Sequence, residues 1–114
     1  MKYLLLIYRD ESVDEGPDPL PRYVELIQEA RQRGAFISAE PLHPVATATS
    51  VRVRRGRTET IDGPFAETKE QLGGFYLLDC TDLDEAIRYA AKIPAAEIGT
   101  IEVRPVQFIE ELQP

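Results

Sequence analysis

Cysteine, histidine and tryptophan are scarce in this chain. Among 114 residues there is one cysteine, Cys80, one histidine, His43, and no tryptophan. A lone cysteine forms no disulfide within its own chain, which fits a reducing compartment. Zinc and other transition metals are usually held by closely spaced cysteines and histidines, and no such spacing occurs here. We therefore expect no metal site and no cofactor.

Long apolar runs are also missing. No stretch approaches the roughly 20 apolar residues that cross a bilayer. The segment from Met1 to Tyr8 is too short, and too weakly charged at its start, for a secretory signal. These absences predict a cytoplasmic protein without a membrane partner.

Positive charge is in deficit, with 13 basic against 20 acidic residues and a net charge of −7. A field of this sign repels phosphate backbones, so we expect no direct binding to nucleic acid. Four arginines nevertheless lie close together, at positions 52, 54, 55 and 57. They fit either the solvated tip of a hairpin or a site for an anion or acidic partner.

The remaining composition is that of a globular protein, with 43% hydrophobic and 29% charged residues. A chain of this length makes one domain, residues 1–114. Apolar periodicity predicts strands at 2–9, 35–40, 49–54, 57–61, 75–80 and 100–106, and helices that start near Asp18 and Asp82. The acidic stretch from Asp10 to Pro19 is expected to be a loop that acts as a lid or rim. The order of elements predicts a ferredoxin-like α+β sandwich, with an antiparallel sheet, two helices on one face and an extra β-hairpin.

The two central strands of this predicted sheet are apolar on both faces. Two helices cover only one face, so the other would expose an apolar patch larger than a monomer usually tolerates. The residues expected there are one alternating set from each strand: Tyr3, Leu5, Ile7, Phe75 and Leu77, or their alternates. A second copy packed sheet to sheet would cover the patch. The pattern therefore predicts a homodimer with a dimeric α+β barrel.

The most distinctive stretch joins the hairpin to the next strand. It begins Asp62-Gly63-Pro64-Phe65, continues through Glu67-Thr68-Lys69-Glu70 and ends in Gly73-Gly74-Phe75. Asp, Gly and Pro in this order are typical of a tight turn. The good helix formers at 66–72 predict about two turns of helix, which the paired glycines would stop.

This wording resembles the signature of the YCII-related domain family, in its DGPF branch, and the later segment 101–106 fits the same pattern. The resemblance covers the chain from Met1 to about Val106. It implies a small dimeric α+β protein. It also implies a regulatory setting, because DGPF members are often encoded beside, or fused to, extracytoplasmic-function sigma factors. A sigma factor or other regulatory protein is thus an expected partner, with a small molecule as ligand.

The candidate ligand-binding residues come from this stretch: Asp62, Gly63, Phe65 and Lys69. Asp62 would lie at the edge of a pocket between hairpin, motif and sheet, with Lys69 as its charge partner and Phe65 as an apolar wall. The alternative for Asp62 is a turn cap that holds Gly63 and Pro64 in place. Tyrosines 8, 23 and 76 would line a pocket or belong to the core.

Two functional hypotheses stay open. The first is a small-molecule-binding or regulatory accessory module. The second is a cofactor-free enzyme, similar to an isomerase or lyase, in which Asp62, His43 and Lys69 are the catalytic candidates for moving a proton. Some YCII-related proteins resemble enzymes with a His and Asp pair, the His lying near the start of the first helix. Arg22 and Tyr23 occupy that region here, so no His role carries over.

Overall fold

A four-stranded antiparallel sheet organises the fold. The structure is a computed structural model that describes residues 1–114. Its elements, in chain order, are β1 (Lys2–Arg9), α1 (Leu20–Gln32), β2 (Phe36–Pro41), β3 (Thr49–Arg54), β4 (Arg57–Asp62), β5 (Gln71–Asp79), α2 (Leu83–Lys92) and β6 (Thr100–Pro105). The main sheet has the strand order β2-β5-β1-β6, and β3 and β4 form a separate hairpin. The predicted α+β sandwich with an added hairpin is confirmed.

The core lies between one face of the sheet and both helices. From the sheet it takes Tyr3, Leu5, Ile7, Tyr76 and Leu78, and from the helices Leu26, Ala30, Ala86, Tyr89 and Ala90. The opposite face carries Leu4, Leu6 and Tyr8 of β1, which lie across from Leu77, Phe75 and Leu72 of β5. Of the residues expected on this open face, Phe75 and Leu77 are there. In β1 the helices cover Tyr3, Leu5 and Ile7, so the alternate residues Leu4, Leu6 and Tyr8 lie on the open face.

The helix ends follow from local capping. Asp18 accepts a hydrogen bond from the Leu20 N–H at 3.0 Å, and α1 starts at Leu20, one residue later than the sequence predicts. The chain leaves α1 through Gly34 in the left-handed region, with φ of 73°. At α2 the Asp82 carboxylate accepts from the Glu85 N–H at 2.9 Å, as expected for a capping residue. Neither helix has the length and apolarity that crossing a membrane requires.

The hairpin stands apart from the sandwich. Arg55 and Gly56 form its two-residue turn with φ of 52° and 75°, the left-handed pair that such turns need. The Gly63 N–H donates to the Ala48 carbonyl at 2.6 Å and closes the base. The radius of gyration is 16.2 Å, against about 13 Å for a compact domain of this length. The hairpin therefore projects from the sandwich and widens the molecule.

The helix predicted at 66–72 is wrong. Residues 63–70 form irregular turns, and β5 already begins at Gln71, so Gly73 and Gly74 lie inside the strand. The segment has helix formers but no apolar stripe, and nothing packs on it to stabilise a helix. Gly74 lies beside β2, where an added Cβ would come within 2.8 Å of the Glu40 carbonyl oxygen. Gly74 thus permits close strand pairing, and neither glycine acts as a helix stop.

Candidate ligand cavity

A cavity of about 720 Å³ opens between the first half of α1 and the sheet. The loop of residues 10–19 and the ends of β1 and β2 complete its walls. Its apolar lining includes Leu20, Tyr23, Val24, Ile27, Ala39 and Tyr76. Gly73 and Gly74 of β5 also line the cavity, and neither has a side chain that would fill it. The loop that the sequence predicts as a lid or rim does form its rim.

Two stacked tyrosines form the inner wall. The rings of Tyr23 and Tyr76 are 6.5 Å apart between centroids and inclined by 12°. Tyr76 is 3% exposed and no hydrogen bond involves its side chain. Burial raises the pKa of Tyr76, and the neighbouring Tyr23 raises it further. Burial and the Glu15 carboxylate likewise raise the pKa of Tyr23, so both phenols stay protonated at neutral pH.

The mouth of the cavity is acidic and held by the loop of residues 10–19. Glu11 accepts the Val45 N–H at 3.0 Å, and its own N–H donates to the Gln71 side chain at 2.9 Å. Glu15 forms an ion pair with Arg9 at 3.0 Å, in which both side chains are about a quarter exposed, at 26%. These contacts fix the loop to β1, β5 and the segment after β2, and they leave the carboxylates at the rim.

The residues predicted to bind a ligand lie outside this lining. Asp62, Gly63, Phe65 and Lys69 do not contribute to the cavity, and Phe65 is 76% exposed. No ion pair joins Lys69 to Asp62; Lys69 lies near Asp10, whose pKa is lowered chiefly by Ser12 hydrogen bonds and slightly by Lys69. The structure thus does not bring these four residues into the cavity, and their ligand-binding role stays a prediction.

His43 and Cys80 also stay away from the cavity lining. His43 is exposed, although its neighbours Leu42 and Pro44 line the cavity. Cys80 is 2% exposed, and burial together with Glu85 raises its pKa to about 11. A protonated, buried thiol fits a role in core packing better than that of a nucleophile. No group of three or more His, Cys, Asp and Glu side chains is arranged to hold a metal ion.

Sequence reasoning found part of this site and missed part. Tyr23 and Tyr76 were expected in a pocket or the core, and both line the cavity, whereas Tyr8 does not. Arg9, Glu11, Glu15 and Asp18 were missed as individual residues. The signal for them was present, because a long acidic loop directly before a helix places carboxylates beside that helix's first turn.

Comparison with known proteins places the chain in a family. The model of the YCII-related domain matches residues 1–110. The chain belongs to the YCII-related domain family. An uncharacterized protein of Rhizobium meliloti (strain 1021) is similar to it, with 40% identity over 114 residues that cover 93% of this chain and 92% of that protein. In this YCII-related chain, Tyr23 of the first helix lies on the cavity wall.

Proposed function

We propose that this YCII-related protein is a homodimeric accessory module that binds a small molecule in the cavity beneath α1. The observation that carries the proposal is the cavity itself. Its volume of about 720 Å³ lies within the range of about 300–1,000 Å³ that is usual for ligand pockets. Apolar side chains form its walls and charged groups lie at its mouth, an arrangement that binds a mixed ligand in one orientation.

The open face of the sheet supports the homodimer. Leu4, Leu6 and Tyr8 of β1 adjoin Phe75 and Leu77 of β5 in two central strands, and none of these five apolar residues is buried. Polar residues flank this apolar centre, among them Glu102 and Arg104 of β6. An apolar centre with a polar rim is typical of a protein interface. A second copy of the same face supplies the matching apolar surface.

The shape of the hairpin gives independent support. A two-stranded hairpin is marginally stable by itself, and β3 and β4 pair only with each other. Val51, Val53 and Ile61 on these strands are 60%, 61% and 47% exposed. A hairpin of this kind gains stability when it reaches across to a partner, so we propose that it extends the dimer contact.

The regulatory setting rests on the resemblance to the DGPF branch. We propose contact with a sigma factor or another regulatory protein, since the net charge of −7 opposes direct binding to nucleic acid. Arg52, Arg54, Arg55 and Arg57 cluster on the projecting hairpin. An acidic partner surface suits this cluster.

The enzymatic alternative has less support. Asp62, His43 and Lys69, its candidate residues, do not line the cavity, and a proton-transfer group must reach the substrate within hydrogen-bond distance. The titratable groups that do line the cavity are tyrosines kept protonated by burial and carboxylates at the rim. The two tyrosines are better suited to holding a ligand than to exchanging protons with it at neutral pH.

Native mass spectrometry of the gently purified protein tests both parts of the proposal. We expect a dimer, twice the chain mass of 12.8 kDa, with a stoichiometric added mass. Ala39→Phe, which fills the cavity wall, should remove the added mass, whereas Ala66→Phe in the exposed loop should retain it. A dimer that carries nothing would contradict ligand binding and leave the protein-contact role. A monomer would contradict the dimer.

A further inference from the structure

The charges that line the cavity are unbalanced. Four acidic residues contribute to the lining, Glu11, Glu15, Asp18 and Glu40, against one basic residue, Arg9. Opposite charges within a few ångströms attract, and a recessed, partly apolar cavity screens this attraction less than open water does. An anionic ligand would therefore approach a mouth of its own sign.

The single cation of the lining is already occupied. The Arg9 guanidinium pairs with the Glu15 carboxylate at 3.0 Å and donates to the Val13 carbonyl at 3.4 Å. An anion would have to displace Glu15 and then face the other carboxylates. A cation requires no such rearrangement, because the oxygens of Glu15 and Asp18 have capacity for further hydrogen bonds.

A second and independent observation comes from the inner wall. Tyr76 lines the cavity and is 3% exposed as a residue, and its hydroxyl group forms no hydrogen bond within the chain, so it is free to bond a group that enters the cavity. An N–H donor from a ligand would be such a group. The ring of Tyr23, stacked on Tyr76, offers an aromatic face to a positive charge.

We propose that the ligand is an organic ammonium with an apolar body. The ammonium group lies between the acidic mouth and the Tyr76 hydroxyl, and the apolar body packs on Leu20, Val24 and Ile27 of α1. This inference rests on the proposed function, since it assigns a chemical class to the ligand of the same cavity.

Isothermal titration with three indole probes of one shape tests the assignment: tryptamine, tryptophol and indole acetate. They share the apolar body and differ in a positive, neutral or negative end group. Tryptamine should bind about tenfold more tightly than tryptophol, and indole acetate least tightly, in keeping with about 1.4 kcal/mol for each tenfold step. Tyr76→Phe should weaken tryptamine binding about fivefold or more, while its effect on indole acetate should be small.

A charge variant gives the sharpest control. Glu15→Gln removes one carboxylate and frees Arg9, so it should weaken tryptamine and strengthen indole acetate, reversing part of the preference. Glu110→Gln makes the same change in the exposed C-terminal segment, outside the cavity lining, and should alter neither.

The outcomes separate this inference from the proposed function. Equal or tighter binding of tryptophol or indole acetate, with amide shifts at cavity residues, would overturn the ammonium assignment and leave the cavity as a binding site. Tryptamine binding that Tyr76→Phe and Glu15→Gln leave unchanged would also overturn it, because contact would then lie elsewhere. Absence of binding by all three probes would overturn the assignment, and a native spectrum without added mass would in addition overturn ligand binding itself.

Discussion

Two regions of this chain differ sharply in how they are stabilised. The sandwich of four strands and two helices, together with the segments that connect them, contains all the buried residues. The arm, defined as residues 49–70, comprises the hairpin and the following motif, and none of its residues is buried. Its backbone is held by hairpin hydrogen bonds and by the Gly63 contact with Ala48. The sandwich is therefore stabilised by its own core, whereas the arm gains little from burial within one chain.

The motif that resembles the family signature and the cavity lie in different regions of the chain. The DGPF wording at residues 62–65 lies in the arm, while the cavity belongs to the sandwich. A distinctive motif on an exposed segment has no packing reason within one chain, and contact with another chain would supply one. We therefore propose that the motif serves assembly and the cavity serves ligand binding. Substitutions in the sandwich and in the arm test that division.

The largest effect is expected at the open face of the sandwich. Leu6→Asp places a charge among Leu4, Tyr8 and Phe75, where the proposed partner packs, so the variant should be aggregated or unfolded. Light scattering after gel filtration, with circular dichroism, measures this. Ile87→Asp on α2, where Ile87 is 49% exposed, should remain a folded dimer. A soluble, stable Leu6→Asp monomer would show that the open face of the sheet needs no partner copy to cover it.

A backbone contact inside the sandwich gives the next effect. A Cβ added at Gly99 would overlap the Tyr8 carbonyl oxygen and come within 3.0 Å of the Arg9 Cα. Gly99→Ala should thus lower the free energy of unfolding by about 3 kcal/mol, as overpacking does. A Cβ added at Gly73 would be 3.9 Å from its nearest neighbour, so Gly73→Ala should change the free energy of unfolding by no more than about 0.5 kcal/mol. Urea denaturation measures the free energy of unfolding of both variants. Equal losses would show that the close contact with β1 does not restrict the size of the residue at position 99.

Alkaline pH should weaken the sandwich through Cys80. Its pKa is raised to about 11, whereas a thiol in an unfolded chain ionises near about 8.5. Between these two pKa values the folded state binds more protons than the unfolded state does. The contribution of the protonated thiol to the free energy of unfolding is therefore complete below about pH 8.5, and it is lost as pH rises toward 11. The expected loss is roughly 1 kcal/mol per pH unit. Cys80→Ala should show a shallower decline in urea stability between about pH 8 and pH 10; an unchanged slope would exclude the thiol as a cause.

The fold was largely predictable because its elements bury regular patterns. Strand β1 alternates two apolar faces, and α2 begins directly after Asp82, whose capping role the structure confirms. The prediction at 66–72 was wrong because it rested on helix propensity alone, although the segment has no apolar stripe that could pack on the rest of the protein. Gly73 and Gly74 were interpreted as a helix stop, although both lie inside β5, where Gly74 pairs with Pro41 of β2.

The cavity was less predictable because its walls come from distant parts of the chain. Tyr23 and Tyr76 meet only after α1 packs on β5, and their ring stacking follows from that packing. Arg9 and Glu15 pair because the loop folds back on β1, which no periodicity encodes. The arm, by contrast, contains a clear sequence motif, but the motif residues do not line the cavity.

The smallest effect in the isolated chain is expected at Phe65 of the arm. Its side chain is 76% exposed, so Phe65→Ala should change the free energy of unfolding of a single chain by less than about 0.5 kcal/mol. If the arm reaches a partner copy, the same change should weaken the dimer by at least about tenfold, since buried aromatic residues carry much of an interface's energy. Sedimentation at a series of concentrations measures the dimer constant, with Phe108→Ala, at 73% exposure outside the arm, as the matched control. Equal constants for both variants would show that the arm's motif contributes nothing to assembly, and its ligand-binding prediction at Asp62, Gly63, Phe65 and Lys69 would then be the role left to test.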